Sequence, residues 1–259
     1  MTATGFNFAL RSVQAALFCL SLLLVQSQAA FATPDQIIIT GFEAPPYFYT
    51  DQTGNPTGLL VELVQEASRK SGVSVKFAVT NWPRAQLETR NGGADLIFPV
   101  VRTPERESWL EYPLAPITRF EMMIFSNGNP EFSFTGNADE LHGLRIGKIA
   151  KGRMHPKFRA LEESGKALVE PRDNVDQLIT AVHHGRIDAF VAPRLMTLWT
   201  IDKMGIEDVH PFATPMGVSN IYLALSKKSK KRLAWEKLSK ALPNLEIRKS
   251  RFLAALADR

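Results

Sequence analysis

Hydrophobic residues fall at helical spacing along LLVELVQEASRKS, residues 59–71. Leu59, Leu60, Leu63, Val64 and Ala67 would share one face there, and Gly72 supplies the stop. A second helix is predicted from Asn81, tolerating Pro83 in its first turn and ending at Asn91-Gly92-Gly93. Elsewhere the period shortens to compact apolar runs. Strands are predicted at 36–41, 73–79, 94–101, 119–126, 144–149, 186–192 and 217–225. Their alternation with helices argues for an α/β fold with parallel-type sheets.

One piece of the pattern recurs. NGGADLIFPVVR (Asn91 to Arg102) and HHGRIDAFVAPR (His183 to Arg194) each run from a helix end through glycine and aspartate into an apolar strand, then proline and arginine. The preceding helices also begin alike, at Asn81 and near Asn174. A repeat 93 positions apart, Asp95 to Asp188, suggests two α/β lobes of similar build.

Ligands of such folds sit beyond the carboxyl ends of the strands. The stretch GADLIFPVVRTPERESW, Gly93 to Trp109, is a core strand that empties into Arg102 and Arg106. It therefore places arginines at a ligand edge. Thr103-Pro104 reads as an N-cap and first turn, with Arg106 in that turn. Two readings stay open for Arg106: a fork for a carboxylate, shared with the turn's amides, or an exposed cation paired with Glu105 or Glu107. Comparable edges carry Glu43, Tyr47 and Phe48 on a proline-stiffened loop, Trp82 at a loop junction, Arg153 after strand 144–149 and Arg194 after 186–192.

Charge and cysteine use narrow the chemistry. Arg11, the apolar Val13–Val25 and Ala30-Phe31-Ala32 read as an export signal, residues 1–32, cleaved near Ala32. Cys19 is the only cysteine, so the mature chain would have no disulfide, thiolate nucleophile or cysteine-bound zinc. The whole chain carries formal charge +5, and losing Arg11 leaves +4. No segment after the signal reads as a membrane span. A Gly-x-Ser-x-Gly elbow, a phosphate-binding glycine loop and a His-Glu-x-x-His helix are all missing, and no metal or cofactor is expected. His183-His184 reads as a helix end. Lys227 to Arg232 is a basic run opening an amphipathic helix, better read as a solvated start than as a nucleic-acid site.

From about residue 36 to about 255 the chain resembles the bacterial extracellular solute-binding proteins of family 3, the periplasmic receptors of polar amino-acid ABC transporters. The resemblance is carried by APPYFYTDQTGNPTGLLVELVQEASRKSG, by NWPRAQLETRNGGADLIFPVVRTPER with LEYPLAP, and by HHGRIDAFVAP. It implies a two-lobed periplasmic-binding-protein-like (type II) fold with two hinge-crossing strands. Lobe 1 would be 33–118 and 214–259, and lobe 2 would be 119–213. It also implies a monomer that captures a small solute and delivers it to a membrane permease. Arg106 would take the solute's carboxylate, in a site with Glu43, Tyr47, Trp82, Pro99, Val101, Arg153 and Arg194. Two positions depart from the family pattern. Val101 stands where a small hydroxyl residue is common, and Pro193 stands where an aspartate usually holds the solute's ammonium. Losing that acid among several arginines favours a small anionic or zwitterionic solute that depends less on its amine. The same family includes periplasmic dehydratases of the cyclohexadienyl type, for which Glu43 would be the acid/base. It also includes sensory and lytic proteins, from which a chain ending at Arg259 with no further module is expected to differ.

Overall fold

The computed structural model describes residues 36–128, 132–150 and 155–257; the expected signal segment and Arg153 lie outside them. The first half of the chain runs β1 (Ile37–Phe42), β2 (Tyr49–Thr50), β3 (Pro56–Thr57), α1 (Leu59–Ser71), β4 (Val75–Thr80), α2 (Trp82–Asn91), β5 (Leu96–Val100), α3 (Pro104–Glu107), β6 (Leu110–Glu111) and β7 (Thr118–Ser126). The second half runs β8 (Arg145–Ile149), α4 (Pro156–Ser164), β9 (Leu168–Arg172), α5 (Val175–His183), β10 (Ala189–Pro193), α6 (Arg194–Met204), β11 (His210–Pro211), β12 (Gly217–Ser226), α7 (Arg232–Ala241) and α8 (Leu245–Ala257).

One hydrogen-bonded path, β4-β1-β5-β12-β7-β10-β8-β9, threads the described chain. Its ends are parallel, β1 with β4 and β5, and β8 with β9 and β10. Its middle is antiparallel: β12 meets β5 at Tyr222, Ala224 and Leu225, then β7 along Gly217–Ile221, while β7 goes on to β10. Two long strands thus join two parallel sheets. The parallel reading from sequence holds for the outer strands and gives way at β7 and β12, which return across the middle. β9 escaped the sequence reading, because Leu168, Val169, Glu170, Pro171 and Arg172 alternate poorly and leave Leu168 exposed.

The unbroken apolar runs are strands covered on both faces. In β5, Leu96 and Phe98 pack with Ile39, Leu60 and Leu63, whereas Ile97 and Val100 pack on the other side with Ala85, Tyr222 and Ala224. In β10, Ala189 and Val191 meet Ile146 and Phe158, and Phe190 and Ala192 meet Leu178 and Ile179. The five apolar positions expected of α1 are all buried.

The sequence repeat is a repeated joint. The Asp95 carboxylate accepts from the Ile38 amide at 2.9 Å, and the Asp95 amide donates to the Ile38 carbonyl at 2.9 Å. Asp188 does the same to Arg145, at 2.7 Å and 2.9 Å. Each aspartate fastens the start of its strand to the parallel neighbour. It also explains why both strands begin later than 94 and 186: the residues before them close the helix ends. The helices entering each joint are capped alike, Asn81 accepting from Arg84 N at 3.0 Å and Asn174 from Gln177 N at 2.9 Å.

The C-terminal helix returns to the first sheet. Glu246 accepts from Thr118 Oγ1 at 2.7 Å and from the Arg119 amide at 2.9 Å, and Lys249 Nζ donates to the Arg119 carbonyl at 3.1 Å. Arg248 pairs with Glu62 and Glu66 of α1. Among the described residues no helix is long and apolar enough to cross a membrane.

Candidate functional site

Three adjacent strands, β4, β1 and β5, end at one edge, and the chain turns there into Thr80, Phe42 and Val101. Gly41 permits their close approach. A Cβ at that position would lie 1.7 Å from the Phe98 carbonyl oxygen, so any side chain would push β1 off β5. Phe42 meets the Trp82 ring edge-on at 5.6 Å. Trp82 in turn lies under the Arg106 guanidinium, whose carbon is 4.9 Å from its centroid.

Arg106 is 9 % exposed. Its Nη1 donates to the Val101 carbonyl at 3.0 Å, and its backbone amide donates to Thr103 Oγ1 at 3.3 Å, the N-cap expected from sequence. α3 is a single turn, too short for an anion site at a helix start, which leaves the Arg106 side chain as the candidate group. Its two sequence neighbours are paired with other arginines, Glu105 with Arg90 and Glu107 with Arg102. Arg106 itself is buried, not the exposed cation of the alternative reading. A buried guanidinium on an indole face is suited to a planar anion.

The other expected residues divide. Pro99 is buried within β5 behind the edge, and Val101 contributes its carbonyl rather than a hydroxyl. Glu43 is exposed, with its oxygens accepting from the Thr50 amide at 3.3 and 3.2 Å, which ties the 44–48 loop shut. Tyr47 is not on an open wall. It is 1 % exposed, packs on Phe98 and Phe120, and burial followed by the negative charge of Glu246 pushes its phenol well above the ordinary range. Arg194 follows β10 and reaches Glu121 of β7 at 3.3 Å. Together with Tyr47 and Lys249 it lines a cavity of about 10 Å³ on the side of α8. His183 and His184, read as a helix end, bond to Asp208 and to the Thr180 carbonyl.

Sequence reasoning missed Phe42 and Tyr112. The Tyr112 hydroxyl donates to the same Val101 carbonyl at 3.2 Å. An alternation of one aromatic into an otherwise apolar edge was the available signal for Phe42; nothing local marked Tyr112.

Two parallel sheets joined by two long strands, with a cationic and aromatic cluster where strands end, define a two-lobed protein of the periplasmic-binding-protein type. Residues 37–199 match the bacterial extracellular solute-binding proteins, family 3, and the chain belongs to that family. It is 22% identical over 151 residues to the Amino-acid-binding protein AabA of Dichelobacter nodosus, covering 58% of this chain and 58% of that protein. It is 21% identical over 194 residues to the Sensor protein EvgS of Escherichia coli O157:H7, covering 74% of this chain and 16% of that protein. The chain thus spans only part of the length of both relatives. Among solved structures, a histidine kinase sensor domain with similarity to periplasmic binding proteins superposes with a TM-score of 0.66 at 20% identity, covering 86% of this chain and 95% of that one. The family is described as one of extracellular solute-binding proteins.

Proposed function

We propose that this protein works in the periplasm, capturing a small carboxylate-bearing solute, an amino acid or related polar metabolite, between two closing lobes and delivering it to the membrane permease of an ABC transporter. In this reading lobe 1 is 33–118 with 214–259, lobe 2 is 119–213, and β7 and β12 are the hinge. The observation that carries it is Arg106, buried on the face of Trp82 at the carboxyl edge of β5 and donating to the Val101 carbonyl. Pro193 supplies no carboxylate for an ammonium, which favours an anion or a zwitterion bound mainly through its acid group.

Turnover is not part of the reading. Glu43, the acid/base that a dehydratase would need, has its carboxylate on the Thr50 amide. A second reading, a sensory domain that binds the same class of solute, is supported by the likeness to the sensor protein and to the kinase sensor domain. The test is a thermal-shift screen of amino acids, dicarboxylates and sugars. Acids bearing a free carboxylate are expected to raise the melting temperature; stabilisation by sugars alone would overturn the assignment.

A further inference from the structure

We propose that Tyr112 is a positioning residue for Arg106, aiming the guanidinium at an incoming carboxylate; this rests on the solute-binding reading above. The Val101 carbonyl is the shared acceptor, taking Arg106 Nη1 at 3.0 Å and the Tyr112 hydroxyl at 3.2 Å. A carbonyl oxygen has two lone pairs, so the two bonds coexist. The bond from Tyr112 fixes the direction of the carbonyl on which Arg106 leans. What freedom the guanidinium has left is restricted by the Trp82 face, 4.9 Å away.

Tyr112 is itself held firmly. Its ring meets Tyr222 edge-on, at 5.2 Å and 85°, and the Arg102 guanidinium lies 5.7 Å from its centroid. Tyr222 belongs to β12, opposite Val100 of β5. A continuous set of contacts therefore runs from the long central strand through Tyr222, Tyr112 and the Val101 carbonyl to Arg106. Burial pushes the Tyr112 phenol up to about 12, so the hydroxyl keeps its proton as a donor at neutral pH. A phenylalanine would fill the same space against Tyr222 and lose only the donated bond.

The test compares wild type with Tyr112→Phe in two arms. The first needs no solute. In ¹⁵N-labelled protein the Arg106 Nε–Hε signal, assigned through Arg106→Lys, is expected to be slow to exchange, since its Nε is closed off from solvent. In Tyr112→Phe it should move and exchange faster, while the melting temperature falls by no more than about 3 °C. The second arm titrates L-arginine and succinate by calorimetry, and whichever binds wild type should bind Tyr112→Phe about threefold to tenfold more weakly, as one neutral hydrogen bond is worth. An unchanged Arg106 signal, or a changed signal with unchanged affinity, overturns the proposal. So does a large loss of stability with the signal intact, which would make Tyr112 a packing residue. If neither probe binds wild type, the solute reading loses its support and the first arm alone decides the positioning role.

Discussion

Arg106 shows how little of a side chain's role lies in its own identity. TPER in the sequence is compatible with a solvated ion pair, but the fold gives Glu105 and Glu107 to other arginines and turns Arg106 onto Trp82. Truncating one side of a buried charge pair costs about 2–5 kcal/mol, so Arg106→Ala should weaken binding of an acid found in the thermal screen roughly 30-fold to several thousand-fold by calorimetry. Arg106→Lys should recover only part, because an ammonium lacks the planar fork. Burial adds a stability effect that an exposed arginine would not have: losing the stacking on Trp82 should lower urea-unfolding stability by about 0.5–2 kcal/mol. Full affinity in Arg106→Ala would remove it from the site.

At the scale of elements, the two aspartate joints hold the parallel strands in register. Asp95 is 6 % exposed and also receives Ser229 Oγ at 2.7 Å, with Lys231 Nζ at 3.3 Å. Asp95→Asn should therefore cost more than Asp188→Asn, about 2–4 kcal/mol against about 1–2 kcal/mol in chemical unfolding, because a buried network loses its charge in one case and a half-exposed pair in the other. Equal costs would mean that the joints do not differ as their burial implies. The hydrogen bond from Arg145 holds the Asp188 carboxyl below its ordinary value, outweighing the effect of burial. A depressed folded value means that the stabilisation is complete above the unfolded aspartate value, about 3.9, and is lost as pH falls through the folded one. Wild type should therefore lose stability below about pH 4, and Asp188→Asn should lose less over that same interval. Parallel pH profiles for the two would count against the joint.

For the whole molecule, the long strands β7 and β12 are the hinge in the proposed reading, since among the described residues they carry the hydrogen-bonded path between the two parallel sheets. Micromolar affinity corresponds to about −8 kcal/mol, enough to shift an open form to a closed one if most contacts exist only when closed. Small-angle scattering with a solute from the thermal screen should show a smaller radius of gyration; an unchanged radius would argue against closure. The grip of Glu246 and Lys249 on Thr118 and Arg119 sits at the start of β7, so α8 anchors one end of that strand.

The sequence by itself determined the local pieces. Apolar spacing set α1, asparagine and threonine caps set the starts of α2, α3 and α5, and the doubled Gly-x-x-Asp pattern pointed to two like units, because each of these signals is read within one turn or one strand. It also determined that Arg106 stands where a core strand ends. Only the tertiary structure decided the rest. β9 has a weak alternation of its own and exists because β8 offers it a parallel partner. Tyr47 could line a crevice or fill a core, and the packing of Phe98 and Phe120 puts it in the core. Arg194 is drawn to Glu121, 73 residues away, and Tyr112 reaches the carbonyl of Val101 across a turn. Such choices depend on which backbone groups and charges meet once the chain folds back on itself, and the pattern around one partner does not mark the other.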